Sequence, residues 1–199
     1  MLFAPGIFSG RTALVTGGGT GIGRACALLL ARLGARVAIG SRNLDNLAPT
    51  VDDLRAIAGA EHVHHGVCDI REPDQIANLV TEIVDKLGAI DLLVNNAGGQ
   101  FVSPAVGVSP KGFDAVIRNN LSGTFFVTRE VAARCMIPAK RGAIVNVIAQ
   151  IQRGFPGMVH TGAARAGVEN MTKTLAIEWA EFKINVNAVG PTFVDTPLT

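Results

Sequence analysis

The stretch Thr16-Gly17-Gly18-Gly19-Thr20-Gly21-Ile22-Gly23 carries the clearest chemistry in this chain. It lies between an apolar run, Thr12-Ala13-Leu14-Val15, that reads as a buried strand, and a segment from Ile22 to Leu33 that reads as a helix. Glycines let a backbone take positive φ and come close to a ligand. A helix start offers unpaired N–H groups and the positive end of a dipole. Strand, glycine turn and helix in this order form a cradle for a phosphate. The spacing G-x-x-x-G-x-G differs from the G-x-G-x-x-G of ordinary dinucleotide folds. Read alone, its plain alternative is a flexible glycine turn.

A second signal stands after the next apolar run, Arg36 to Gly40, where the chain continues Ser41-Arg42. A carboxylate at that place usually accepts from a ribose 2′-hydroxyl. Serine and arginine do not accept as a carboxylate does, whereas a planar guanidinium suits the oxygens of a 2′-phosphate. NADP(H) is therefore expected over NAD(H); the alternative is that Arg42 is a solvated surface residue. His160 carries an imidazole, a side chain suited to proton donation near neutrality. Its ordinary reading is a helix-start histidine facing solvent or a phosphate. His62, His64 and His65 resemble a cluster, but strand alternation puts His62 and His64 on one face and His65 on the other. With no other ligand nearby in sequence, no metal site is expected. Asp52-Asp53 reads as a solvated helix face.

The elements that must position these groups alternate along the chain. Strands are expected at Arg36 to Gly40, Val63 to Val67, Ile90 to Val94, Ala143 to Ile148 and Ile184 to Val189. Between them, helical spacing of apolar residues marks Asn43 to Ala58, Pro73 to Leu87, Lys111 to Met136 with a bend near Gly123, and Thr161 to Phe182. Apolar strands alternating with amphipathic helices give right-handed βαβ units, hence an α/β, Rossmann-like, doubly wound parallel sheet with helices on both faces. Ligands of such sheets bind beyond the carboxyl ends of the strands. No repeat, low-complexity tract or linker divides residues 1–199, so one NADP-binding domain is expected.

Composition narrows the function classes. With 199 residues, 48% of them hydrophobic and 17% charged, the chain has the material for a full core. A net charge of +2 makes no case for nucleic acid or for an anionic membrane surface. No apolar run is long enough for a membrane helix, and the N-terminus lacks the basic-then-apolar layout of a secretory signal. Cys26, Cys68 and Cys135 are widely spaced and suit a reducing compartment, so a cytoplasmic location is expected. The chain contains no tyrosine.

Four further stretches fall where the strands end or in the middle helix: Cys68-Asp69-Ile70, Asn95-Asn96-Ala97-Gly98, Asn119-Asn120-Leu121-Ser122-Gly123-Thr124-Phe125, and Ile184 to Pro191. With the glycine turn, they resemble the short-chain dehydrogenase/reductase family over essentially the whole chain. Within it, Asn95 to Phe101, Ser103-Pro104-Ala105, Gly154-Phe155-Pro156 and Val159 to Val168 resemble the peroxisomal trans-2-enoyl-CoA reductases, with 2,4-dienoyl-CoA reductases similar in the same places.

The resemblance implies roles. Gly17, Gly21 and Gly23, with Thr20 and Ile22, form the pyrophosphate turn. Asp69 meets the adenine, with Ile70 beside it. Asn96, Ala97 and Gly98 pass near the adenosine ribose and hold the sheet. Asn120 kinks its helix and holds a proton-relay water. Pro191, Thr192 and Thr196 lie near the nicotinamide and phosphates, although Thr192 replaces the family's usual glycine. The family also implies a seventh strand and a last helix that this chain lacks, a homo-oligomer (dimer or tetramer), and, for this branch, an alternative peroxisomal address beyond Thr199.

The family's Ser, Tyr and Lys are missing. Counting from Ala166-Gly167-Val168, the tyrosine position reads Thr161 and the lysine position Arg165; the serine position reads Ala149. Dienoyl reductases resemble this pattern but draw a tyrosine from just after the fifth strand, where this chain has Gln150. A second register, Glu169 to Lys173, has the same spacing; distance from the fifth strand favours Thr161. Threonine is a poor general acid but can donate a hydrogen bond, and arginine can hold a ribose but is a poor proton shuttle. These losses impair carbonyl reduction more than reduction of a C=C bond conjugated to a thioester, which needs an enolate oxygen to be stabilised. The expected activity is NADPH-dependent reduction of 2-enoyl-CoA thioesters, with Asn120, His160, Thr161 and Arg165 as the reactive set. The alternatives are an NADP-binding pseudo-enzyme and another short-chain reductase.

Overall fold

The computed structural model describes residues 3–196. In chain order the elements are β1 (Thr12–Thr16), α1 (Gly21–Arg32), β2 (Arg36–Ser41), α2 (Ala48–Ala58), β3 (Val63–Val67), α3 (Pro73–Leu87), β4 (Leu92–Asn95), α4 (Pro110–Ile117), α5 (Gly123–Val131), α6 (Ile137–Ala139), β5 (Gly142–Val147), α7 (Val159–Glu178) and β6 (Ile184–Val189). The strands form one parallel sheet in the order β3-β2-β1-β4-β5-β6. Consecutive residues Val37, Ala38 and Ile39 are all wholly buried, as a strand covered on both faces requires. On one face α1 and α2 pack Ala27, Val51 and Leu54 against Ala13 and Val15. On the other, α3, α5 and α7 bring Ile83, Val131 and Leu175 to Leu14, Leu93 and Ile144. The order reverses between β1 and β4, which opens a crevice at their carboxyl ends.

Three differences from the sequence expectation have local causes. α2 begins at Ala48, not Asn43. The Asn43 side chain accepts from the Asp45 N–H at 2.8 Å, a turn that competes with helix, and Pro49 is at home only in a first helical turn. Leu44, at helical spacing from Leu47, Val51 and Leu54, therefore lies outside the helix and is exposed. β4 begins at Leu92, although the Asp91 backbone still bonds to Thr12 and Ala143 on either side; the Asp91 side chain is buried and accepts from the Thr12 N–H (3.0 Å), Arg11 (3.0 Å) and Arg141 (2.9 Å). It ties the amino ends of the central strands together, opposite the crevice. The expected bend near Gly123 is a π turn over Arg118–Ser122, followed by a second over Ala132–Met136, in a helical run from Pro110 to Ala139.

Buried polar groups fasten the helices of the second face. The Asn95 amide donates to Thr128 Oγ1 (2.7 Å) and Asn146 Oδ1 (2.8 Å), and the Asn146 amide donates to Thr172 Oγ1 (2.9 Å). This chain runs from α5 across β4 and β5 to α7, fixing α7 at the strand ends where chemistry is expected.

The histidine cluster does not form. His62 lies before β3 in a short 3-10 turn and is exposed, while His64 is buried with Nε2 3.1 Å from Glu82. No group of three potential metal ligands occurs among the described residues. Nor is any helix among them long and apolar enough to cross a membrane.

Candidate active site

At the switch point the glycine turn takes the backbone that only glycine adopts freely: φ is 64° at Gly17 and 51° at Gly21. Gly23 is needed for closeness, since a Cβ there would stand 2.2 Å from the Gly17 carbonyl oxygen. Asn96 reaches across from β4 and donates to the carbonyls of Thr16 and Gly17, both at 3.1 Å. Thr16 Oγ1 in turn accepts from the N–H groups of Asn96 and Ala97 at 3.1 Å. The turn is thus pinned by its neighbour rather than flexible. Thr20 stands at the N-cap of α1 without a side-chain cap bond, and no acidic residue occupies the first turn. The N–H groups of this helix start, Gly21, Ile22 and Gly23 among them, suit a pyrophosphate. Thr196 returns to this place, its side chain 3.6 Å from where a Gly21 Cβ would stand.

Ser41 and Arg42 close β2 beside the end of β3, where the Cys68 N–H donates to the Ser41 carbonyl at 2.9 Å. Arg42 is exposed, and its charge reaches Asp69. The sequence analysis missed Arg71. Its Nε lies 2.9 and 3.0 Å from the two Asp69 oxygens, and its guanidinium holds that carboxyl below the ordinary carboxylate value. The Asp69 carboxylate is thus already paired with arginine. Ile70 is buried against Gly123, where the π turn ends.

Around the π turn the structure brings Asn120, Gly98 and Arg165 together. Asn120 is wholly buried; its amide donates to the carbonyls of Gly99 (2.7 Å) and Val116 (2.9 Å), and its Oδ1 accepts from the Gly99 N–H (3.2 Å). Its backbone carbonyl takes the Thr124 hydroxyl at 2.8 Å. Asn120 therefore holds the loop after β4, and only a spare lone pair of its carbonyl remains for a water. A Cβ on Gly98 would meet Asn120 Oδ1 at 2.6 Å and Arg165 Nη2 at 2.5 Å, so this glycine is wedged between them.

The first two turns of α7 carry the remaining candidates. Thr161 is 1% exposed and Arg165, one turn on, 8%. Arg165 donates from Nη1 to the Val147 carbonyl at the end of β5 (3.0 Å) and forms no ion pair with a carboxylate among the described residues. Burial alone pushes its pKa down to about 10. The alternative register faces outward: Lys173 is exposed and pairs with Glu169 at 2.7 Å along the helix. Ala149 lies against Gly190, and Gln150 is exposed with its N–H 3.3 Å from the Pro191 carbonyl. Pro191 is half-buried, and Thr192 and Phe193 are exposed.

His160 departs from the ordinary reading of a solvent-facing helix start: it is wholly buried. Its Nδ1 accepts from the Thr161 N–H at 2.8 Å and lies 3.3 Å from Thr161 Oγ1. Nδ1 is therefore unprotonated and Nε2 carries the hydrogen. The ring packs against Phe101 at 4.4 Å, a neighbour that no local pattern in the sequence announces.

Comparison with known proteins agrees with this architecture. The family model described as short chain dehydrogenase matches residues 11–199. An uncharacterized oxidoreductase and a probable 2,4-dienoyl-CoA reductase, both of Caenorhabditis elegans, are 43% and 40% identical to this chain over 195 and 194 residues. Each alignment covers 94% of this chain, which spans 60% of the length of each of these relatives. Among solved structures, a citronellol catabolism dehydrogenase of Pseudomonas aeruginosa PAO1 superposes with a TM-score of 0.90 at 45% identity, covering 96% of this chain and 78% of that one. With a pinned glycine turn at the switch point of a 3-2-1-4-5-6 sheet and a family match along nearly its whole length, this chain belongs to the short chain dehydrogenase family.

Proposed function

We propose that this protein reduces the C=C bond of 2-enoyl-CoA thioesters with NADPH, in fatty-acid metabolism. One observation carries the reading: the buried positions in the first turns of α7 hold Thr161 and Arg165, the latter bonded to the end of β5, and no phenol exists in the chain. Reducing a carbonyl to an alcohol requires a proton delivered to oxygen, which threonine does poorly. Reducing a conjugated C=C bond instead develops charge on the thioester oxygen, where hydrogen-bond donors suffice. The kinship with a protein named a probable 2,4-dienoyl-CoA reductase supports the same chemistry class.

The cradle suits the pyrophosphate of a nicotinamide dinucleotide, since the first N–H groups of α1 have no side-chain cap and no acidic residue beside them. When bound, the cofactor supplies the hydride that adds to Cβ. Gly17, Thr20, Gly21, Ile22 and Gly23 would hold its pyrophosphate, Ser41 and Arg42 its 2′-phosphate, and Asp69, Ile70, Asn96, Ala97 and Gly98 the adenosine side. Pro191, Thr192 and Thr196 would line the nicotinamide end, and Arg165 its ribose. The Thr161 hydroxyl donates to the thioester oxygen as it takes up negative charge, and the adjacent Arg165 charge stabilises it further. Cα then takes a proton from water. The protein acts as a homo-oligomer, in the cytoplasm or alternatively the peroxisome, without nucleic acid or membrane.

The test is NADPH consumption with a medium-chain trans-2-enoyl-CoA. Turnover is expected, lowered about tenfold in Thr161→Val with NADPH affinity unchanged, the scale of one charge-assisted hydrogen bond. Arg42→Ala should weaken NADPH about tenfold and leave NADH as it was. A second reading, an NADP-binding protein without chemistry, is favoured by the commitment of the Asn120 amide to Gly99 and Val116. NADPH binding without turnover on enoyl, dienoyl or carbonyl substrates selects it.

A further inference from the structure

His160 Nε2 is one of the few buried side-chain polar atoms without a hydrogen-bond partner among the described residues. A buried N–H left unpaired is costly, so each such group calls for a physical reason. Among the described residues, the aromatic ring against this imidazole is that of Phe101, at 4.4 Å between centroids and 72° between planes, an edge-to-face arrangement. The face of an aromatic ring is its negative side and accepts an N–H weakly.

Phe101 is delivered to this place by its backbone and by a missing side chain. The Ser103 N–H donates to the Gly157 carbonyl at 2.8 Å, so the loop after β4 is tied to the loop that leads into α7. The tip of the Phe101 ring lies over Gly112, where a Cβ would stand 3.1 Å from Phe101 Cζ. Gly112 is itself held in the first turn of α4, its N–H donating to the Ser109 cap at 3.1 Å. The ring is thus braced on α4 and applied to His160 on α7.

We propose that Phe101 is a positioning residue of the reactive site: seated on Gly112, its ring takes the Nε2–H of His160 on its face and fixes the imidazole in the form whose Nδ1 accepts from Thr161. Phe101 itself need not touch the reacting atoms. It holds the rotamer of His160 in which Nδ1 accepts from the Thr161 N–H, the bond that sets the tautomer, and His160 sets the resting direction of the Thr161 hydroxyl. The kinetic consequence rests on the enoyl reductase reading above; the state of the imidazole does not.

The experiment is NMR of the full chain with 15N-labelled histidine, above the imidazole titration range, with and without NADPH. The chain has four histidines, and the His160→Gln spectrum identifies the resonances that vanish. The wild-type protein is expected to show His160 in the Nε2-protonated form, its N–H proton shifted upfield by the Phe101 ring. Phe101→Leu removes the ring face and Gly112→Ala pushes the ring from its seat. Both should remove the upfield shift of the Nε2–H proton and lower kcat about tenfold, with KM for NADPH unchanged. Gly112→Ala improves helix propensity, so it should melt at the wild-type temperature or above and still show the change. A His160 protonated at Nδ1, or a wild-type imidazole signature retained in both variants, overturns the proposal. A wild type that turns over no enoyl thioester sinks the functional reading instead and leaves the NMR result to decide this one.

Discussion

The β1-β2-β3 side of the sheet and the β4-β5-β6 side hold their polar groups in different ways. On the first, the glycine turn, Ser41, Arg42 and the Asp69–Arg71 pair lie at or near the surface, and the N–H groups of α1 start without a side-chain cap. On the second, Asn120, His160, Thr161 and Arg165 are all buried, and most of their polar atoms are bonded to neighbours in the chain. One side is an open cradle for an anion. The other is an enclosed cluster whose donors are few and fixed, with His160 as its one imidazole and no phenol. The lesson is that one sheet can set an open helix start on one side of its switch point and a buried, mutually bonded polar cluster on the other.

The sharpest way to break this contrast is Gly23→Ala. The new methyl would stand 2.2 Å from the Gly17 carbonyl and 2.4 Å from Asn96 Nδ2, so the cradle itself must move. NADPH affinity measured by calorimetry should fall about a hundredfold, roughly 3 kcal/mol, with circular dichroism unchanged. Unaltered affinity would mean that the turn does not carry the cofactor.

On the enclosed side, Arg165→Met removes a buried cation that has no carboxylate partner among the described residues. Burying such a charge costs stability. The variant is expected to melt at or a few degrees above the wild-type temperature. Its cofactor affinity should fall about tenfold. A lower melting temperature would show that the Val147 contact outweighs the buried charge.

The smallest effect lies away from both sites. Burial and the Lys86 charge hold His64 below the ordinary imidazole value, with Glu82 opposing them, and burial and Arg55 do the same to His65. The folded state therefore prefers both rings neutral. Stability is fully present above the unfolded value of about 6.5 and is lost as pH falls through the folded values. Melting curves from neutral to mildly acid pH should drop by a few degrees, and His64→Leu should flatten that slope.

Much of this was legible in the chain itself. The strands stood out because parallel strands buried on both faces are continuous apolar runs. The cradle stood out because its glycines lie between such a run and a helix. The start of α2 was misread because Leu44 keeps helical spacing while Asn43 and Pro49, which decide the matter, act on the backbone. Asp91 was read simply as part of the strand Ile90 to Val94; its role depends on Thr12, Arg11 and Arg141, far away in sequence. Between the Thr161 and Glu169 registers, distance from the fifth strand favoured Thr161; in the structure Arg165 is buried while Lys173 is exposed and pairs with Glu169. The burial of His160 and its contact with Phe101 depend on two loops meeting, which no local pattern encodes.

The π turn over Arg118–Ser122 has one more consequence. A π turn is an α-helix holding one extra residue, so this segment is where the chain's length, not only its side chains, is read by the fold. Deleting a single residue there would leave an unbroken helix whose later residues keep their present faces, because the bulge is what absorbs the extra residue. Val127 and Val131, now wholly or nearly buried, would stay against the sheet, while the wider turn that carries Asn120 to Gly99 would be lost. The extra residue therefore serves the placing of Asn120 and not the packing of the helix that follows.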